Sequence, residues 1–151
     1  MKVIIFGNRC KDRIAIYAKR LADALLKRSV SIYFEKDFCQ FMVEKGIDMA
    51  FPHQLLCDGD DFDADMAFSI GGDGTFIKTS AKIGKRNIPI IGINAGRLGF
   101  LADISGDEIE DAVSEILEGR YKIEDRTLKA YFIKRLQNFL KYRINMDIQD
   151  K

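Results

Sequence analysis

The sequence predicts an α/β fold, an open parallel sheet with helices on both faces in the Rossmann-like manner. Three observations carry that prediction. Short apolar runs recur at residues 2–6, 31–34, 66–70 and 88–93; intervening stretches place apolar side chains at helical spacing; and several runs stop at glycine-bearing turns. Strands alternating with helices imply crossover connections and a parallel sheet buried on both sides, with ligands expected at the carboxyl ends of its strands.

Residues 2–6 read as a buried strand that ends at Gly7 and Asn8. A helix should follow, because Ile14, Tyr17, Ala18, Leu21, Leu25 and Leu26 fall on one face while Lys19, Arg20, Lys27 and Arg28 are interleaved. Residues 31–34 give the next strand, and Phe38, Phe41 and Met42 suggest a short second helix closing near Gly46. The acidic stretch at 50–65 reads as loop. A third strand, 66–70, leads into a glycine loop and a helix that begins near Thr75 and runs to Ile83. Residues 88–93 form a continuous buried strand despite Pro89, and 107–117, with Ile109, Val113, Ile116 and Leu117 on one stripe, form a last helix stopped by Gly119.

Composition narrows the function classes. The chain has 151 residues, 47% of them hydrophobic, and a formal net charge of +1, so a real core is affordable and no global charge calls for nucleic acid or a membrane surface. Cys10, Cys39 and Cys57 are odd in number and widely spaced, which suggests neither a disulfide framework nor a zinc site and points to a reducing cytoplasm. The first residues hold too few consecutive apolar side chains for a signal-peptide core, and no run reaches transmembrane length. Composition shifts near Arg126. Residues 127–151 carry six basic side chains against two acidic ones, with Leu128, Tyr131, Phe132, Leu136, Phe139 and Leu140 at helical spacing. That tail is expected to be a basic amphipathic helix packed on a domain spanning 1–126, a membrane surface or a partner being the alternative occupant.

The chemistry is concentrated in FSIGGDGTF at 68–76. The P-loop pattern GxxxxGK[ST] could run from Gly72 to Lys78 and Thr79, but Ile77 stands where its second glycine belongs. The dinucleotide pattern GxGxxG fails at the same residue. The backbone chemistry survives both failures, since glycines between a strand end and a helix present N–H groups to an anion with little steric hindrance. Asp73 is then the anomaly. It could hold a divalent cation, accept a hydrogen bond from a hydroxyl that receives a phosphoryl group, or simply cap the following helix.

GGDGTF at 71–76, followed by IPIIGINAGRLGFLADI at 88–104, resembles the ATP-dependent NAD kinase family, with its GGDGT loop and its NxGxLGFL segment. The likeness extends from the first residue to about Leu128 and includes YKIEDRTL at 121–128. Lipid kinases and phosphofructokinases use loops related to GGDGT, and the second motif separates this chain from them. The resemblance implies transfer of the ATP γ-phosphoryl group to the 2′-hydroxyl of the adenosine ribose of NAD, giving NADP, with magnesium or another divalent metal. It implies that Asp73 is the catalytic aspartate and, with Gly74, contacts NAD. Gly71, Gly72 and Thr75 would shape the nucleotide pocket, Phe76 would lie near the adenine, Lys78 would help bind NAD, and Asn94 and its turn would face the same crevice. For Lys78 the plain alternative is a solvated helix lysine, and for Asn94 a turn residue.

Members of that family continue into a second, mostly β domain that supplies an NE/ND motif, a TPTGSTAY-like segment and much of the oligomer contact; neither string occurs in these 151 residues. A weak or absent activity of this stretch alone is therefore expected, and a non-catalytic nucleotide-binding or interaction module is the competing reading. A homo-oligomer is compatible with either. Two further patterns carry less. In DGDDFDADM at 58–66, Met66 replaces the glycine and Gly72 the glutamate that a calcium loop requires, so a solvated loop is expected. His53, the one histidine, stands next to Pro52 with no serine or cysteine partner visible in sequence, so a surface histidine is expected rather than a catalytic one.

Overall fold

A computed structural model of the chain describes residues 1–96, 99–102 and 104–125. The expected helix over 127–151 lies outside the described residues. Met1–Tyr121 form one compact unit and Lys122–Lys151 a second, whose described residues, 122–125, are exposed and without regular structure.

The first unit alternates strand and helix: β1 Lys2–Gly7, α1 Asp12–Leu26, β2 Ser31–Glu35, α2 Lys36–Glu44, β3 Gln54–Leu56, β4 Met66–Gly71, α3 Asp73–Ile83, β5 Ile90–Asn94 and β6 Ile104–Ser105. A 3-10 turn at Gly106–Glu108 then leads into α4 Ile109–Leu117. The sheet order is β3-β2-β1-β4-β5-β6, and each neighbouring pair is parallel. From β1 the chain steps outward through β2 to β3, then returns to lay β4 on the other side of β1. Right-handed crossovers in those two directions must pass over opposite faces of the sheet.

The core divides accordingly. Val3 and Ile5 of β1 face a cluster built from α1, α2 and α4, including Ile14, Leu21, Phe38, Ile109 and Val113. Ile4 and Phe6, alternating with them, face a smaller cluster with Ile83 of α3, Ile88 and Ala67. Period-two alternation in a strand buried on both sides thus distributes one apolar run between two layers. The two helices α1 and α4 are also joined by Arg20, whose guanidinium donates to both carboxylate oxygens of Glu110, Nε at 2.9 Å and Nη2 at 2.6 Å, and through Nη1 to the carbonyl of Gly106. Ser105 and Glu108 form a reciprocal capping box at the turn before α4.

Four expectations about secondary structure change. The stretch 50–65 is not all loop: β3 lies within it, pairing Tyr33 with Gln54 and Glu35 with Leu56. Three residues with Leu55 half exposed are too short to show alternation. The two-residue β6 escapes notice for the same reason. β5 starts at Ile90, two residues later than expected, while Pro89 contributes only its carbonyl, to Ala67 N–H at 2.9 Å. The helix after the glycine loop starts at Asp73 rather than near Thr75, because Gly72 takes the capping position despite offering no side chain.

His53 is half-buried rather than at the surface, its ring against Phe34 and Phe51. It does have a cysteine neighbour: Cys39 Sγ lies 3.7 Å from His53 Nε2, and Nδ1 faces the carbonyl of Phe51 at 2.9 Å. The acidic loop at 58–66 is exposed at Asp58 and Asp61, while Asp65 accepts from the Lys2 N–H at 2.6 Å and so pins the start of β4 to that of β1. Among the described residues, no helix is long and apolar enough to cross a membrane.

Candidate active site

The order of the sheet reverses at β1 and β4, and parallel α/β sheets form their ligand crevice beyond the carboxyl ends of strands at such a switch point. Three strand ends meet there. β1 ends at Gly7 and Asn8, with the Asn8 N–H donating to Ile70 O at 3.0 Å; β4 ends at Gly71; and β5 ends at Asn94, which stands opposite Gly71 in register. Ala95 N–H donates to Gly71 O at 3.0 Å, extending the pairing one step into the turn.

The glycines of the loop divide into two kinds. A Cβ on Gly71 would sit 2.8 Å from Thr75 Cβ, so this position is glycine because the first turn of α3 folds back against it. A Cβ on Gly72 or Gly74 would meet no protein atom within 4 Å. Both of these glycines are exposed. Steric demands of the fold do not explain them, whereas close approach of a ligand to the backbone would. The α3 N-terminus adds amide donors: Thr75 and Phe76 N–H turn back to Gly72 O, leaving the first-turn amides of Asp73 and Gly74 without intrahelical acceptors.

Asp73 does not cap its own helix by its side chain. Its carboxylate instead reaches across to the segment after β5. Phe100 N–H donates to Oδ1 at 3.1 Å and Oδ2 at 3.0 Å, and Leu101 N–H donates to Oδ1 at 3.1 Å. The side chain is half-buried, and a carboxylate with four lone pairs keeps capacity for a further donor. Asn94 is buried and accepts from Gly96 N–H at 2.9 Å, shaping the turn that follows β5.

The structure thus brings Gly71, Gly72, Asp73, Gly74, Thr75 and Asn94 together at one crevice. Phe76 is half-buried, its ring lying over Gly92 of β5. Lys78 is exposed on α3, one turn beyond Gly74. Sequence reading missed three contributors. Ser69 and Thr79 form a buried hydroxyl pair at 3.0 Å that ties α3 to β4 just behind the loop. Lys11, at the start of α1, holds its Nζ 3.3 Å from where a side chain on Gly96 would begin, placing a cation at the mouth of the crevice. Gly99 carries no Cβ because Asp73 fills that space, with Cγ 2.7 Å from the would-be atom. Ser69, a polar residue inside the apolar run 66–70, was the available signal for the hydroxyl pair; Thr79, between Lys78 and Ser80, and Lys11 had none.

Two hollows elsewhere, one of about 290 Å³ lined by Lys2, Tyr33, Phe62 and Asp63 among others and one of about 350 Å³ lined by Arg9, Asp37 and Glu44 among others, share none of these residues. Among the described residues, no group of three or more His, Cys, Asp or Glu could hold a metal ion.

Known proteins resemble this chain in sequence and in fold. The ATP-NAD kinase N-terminal domain family matches residues 3–121. A protein named NAD kinase from Bacteroides fragilis is 39% identical over 91% of this chain, and one from Porphyromonas gingivalis is 35% identical over 84%. The chain covers 48% and 44% of those two relatives, so it spans less than half their length. Among solved structures, yeast NADH kinase, crystallised with NADH, shares the fold with a TM-score of 0.70 at 21% identity, over 84% of this chain and 40% of that one. With four-fifths of its length matched by that family's model, the chain belongs to the ATP-NAD kinase N-terminal domain family.

Proposed function

We propose that this chain supplies the catalytic half-site of an NAD kinase, transferring the γ-phosphoryl group of ATP to the 2′-hydroxyl of the adenosine ribose of NAD. The observation that carries this reading is the placement of one oriented carboxylate, Asp73, between two sterically open glycines at a helix N-terminus. The open glycines and first-turn amides suit dinucleotide and phosphate groups, and the carboxylate suits the hydroxyl that must be activated beside them.

In the step proposed, the ribose 2′-oxygen attacks the γ-phosphorus while the bond from that phosphorus to the β,γ-bridging oxygen breaks. ADP departs and Asp73 takes the hydroxyl proton, which then passes to solvent. Phosphoryl transfer needs little covalent help from protein, so orientation of the acceptor and screening of phosphate charge are most of the task. Gly71, Gly72, Gly74, Thr75 and Asn94 line the acceptor pocket in this reading, Phe76 stands near the adenine, and Lys78 and Lys11 supply positive charge. Magnesium or another divalent ion would enter with the ATP substrate, bound by its phosphates.

Residues 1–126 are the nucleotide-binding domain in this account and 127–151 a separate basic segment, the protein acting in the cytoplasm and assembling with further copies. NADP formation from NAD, ATP and magnesium, measured for the full chain and its Asp73→Asn variant, tests the reading. Turnover that falls at least about a hundredfold on substitution is the expected result. NAD binding without turnover would instead favour a nucleotide-binding module that no longer transfers phosphate, the reading suggested by the shortness of the chain against its relatives.

A further inference from the structure

We propose that the turn at Gly99, Phe100 and Leu101 is a positioning clamp that sets the direction in which Asp73 presents its carboxylate. The proposal rests on the acceptor reading of Asp73 above. Asp73 is the first residue of α3, where frayed backbone and a short side chain would leave its carboxylate several rotamers. Two successive backbone amides from a segment 27 and 28 residues later remove that freedom, Phe100 N–H bridging both oxygens and Leu101 N–H adding a second donor to Oδ1. Hydrogen bonds from amides to an ionised carboxylate are among the stronger ones, and a pair of them defines the plane of the group as well as its place.

The clamp closes only because position 99 is glycine. A Cβ there would stand 2.7 Å from Asp73 Cγ and 3.0 Å from Oδ2, driving the carboxylate away from the two amides. The other side of the turn is seated as closely: Gly92 of β5 lacks a Cβ that would otherwise lie 2.6 Å from Ala102 Cα and 3.0 Å from the Phe76 ring. The turn is therefore wedged between the first turn of α3 and the face of β5. Asp73 keeps its remaining lone pairs for a donor approaching from the crevice, and a ribose hydroxyl is such a donor. Gly99, Phe100 and Leu101 act through Asp73 and are positioning residues.

The test uses the full chain, its Gly99→Ala and Asp73→Asn variants, and two probes: NAD and its analogue lacking the 2′-hydroxyl on the adenosine ribose. Amide hydrogen exchange read by NMR should show Phe100 and Leu101 exchanging about tenfold or more faster in Asp73→Asn than in the parent chain. Affinity for NAD over the 2′-deoxy analogue should fall toward parity in both variants, while affinity for the analogue stays within about twofold. A structural role alone would weaken both probes together. Unchanged exchange at Phe100 and Leu101 in Asp73→Asn would overturn the clamp even where NAD still binds in preference to its analogue. Exchange that responds as expected in a chain binding neither probe would uphold the clamp and refute the acceptor reading. Should Gly99→Ala not fold, the Asp73→Asn comparison decides alone.

Discussion

Gly72 and Gly74 differ from Gly71 in what surrounds the place of a missing side chain, and that difference separates binding from folding. A methyl at Gly74 would meet open space, and alanine in the first turn of a helix is favoured over glycine, so Gly74→Ala should keep or raise the melting temperature. The same substitution should weaken NAD binding by about tenfold or more by blocking close approach to the backbone. Gly71→Ala, forced against Thr75, should instead lower stability by about 1–3 kcal/mol. Calorimetric melting and NAD titration of the two variants check this, and equal behaviour would contradict it. Reactivity of the cysteines follows the same logic of surroundings. Cys10 and Cys57 are exposed, whereas Cys39 is buried and its thiol is pushed above the ordinary range by loss of solvation. The thiolate is the reactive form. Mass spectrometry after brief alkylation at neutral pH should find two labels on the native chain, with Cys39 modified only on unfolding.

Among the elements, the junction of α1 with α4 is held by Arg20 and Glu110 as well as by apolar packing. The Glu110 carboxyl lies below the usual carboxylate range, first because Arg20 donates to it and with burial opposing. A carboxylate lowered by folding stabilises the protein above its unfolded value, about 4.3, and loses that contribution as pH falls through the lower folded value. Both side chains are at least a third exposed, so the pair contributes only about 0.2–1 kcal/mol. Denaturant titration should show Glu110→Gln less stable than the parent by that amount at pH 7 and indistinguishable from it near pH 3. The elements also explain what the sequence could and could not announce. Long central strands such as β1 and β4 advertise themselves by continuous apolar runs, and α1 by its stripe. β3 and β6 are too short for any period, and the start of α3 hides in a glycine that caps it without a side chain. Asp73 was legible because a carboxylate in a glycine loop is chemically incongruous. The segment holding its partners was legible as the NxGxLGFL motif, but their hydrogen bonds were not, since backbone amides from 27 and 28 residues away carry no signature in side-chain identity.

At the scale of the molecule, the reversal of strand order between β1 and β4 explains why residues far apart in the chain converge: the β1 end, the glycine loop and the turn after β5 are neighbours at one edge of the sheet. The chain spans less than half of its relatives' length. On the proposed function, NAD is received at that edge and nowhere else on the unit. NMR titration of the full chain with NAD measures this most directly. Shifts are expected to concentrate in the amides of Gly72, Asp73, Gly74, Thr75, Ala95, Gly96, Phe100 and Leu101, and to shrink in Asp73→Asn. Shifts absent from that edge, or gathered instead around Leu55 and Phe62 at the far side of the sheet, would contradict it.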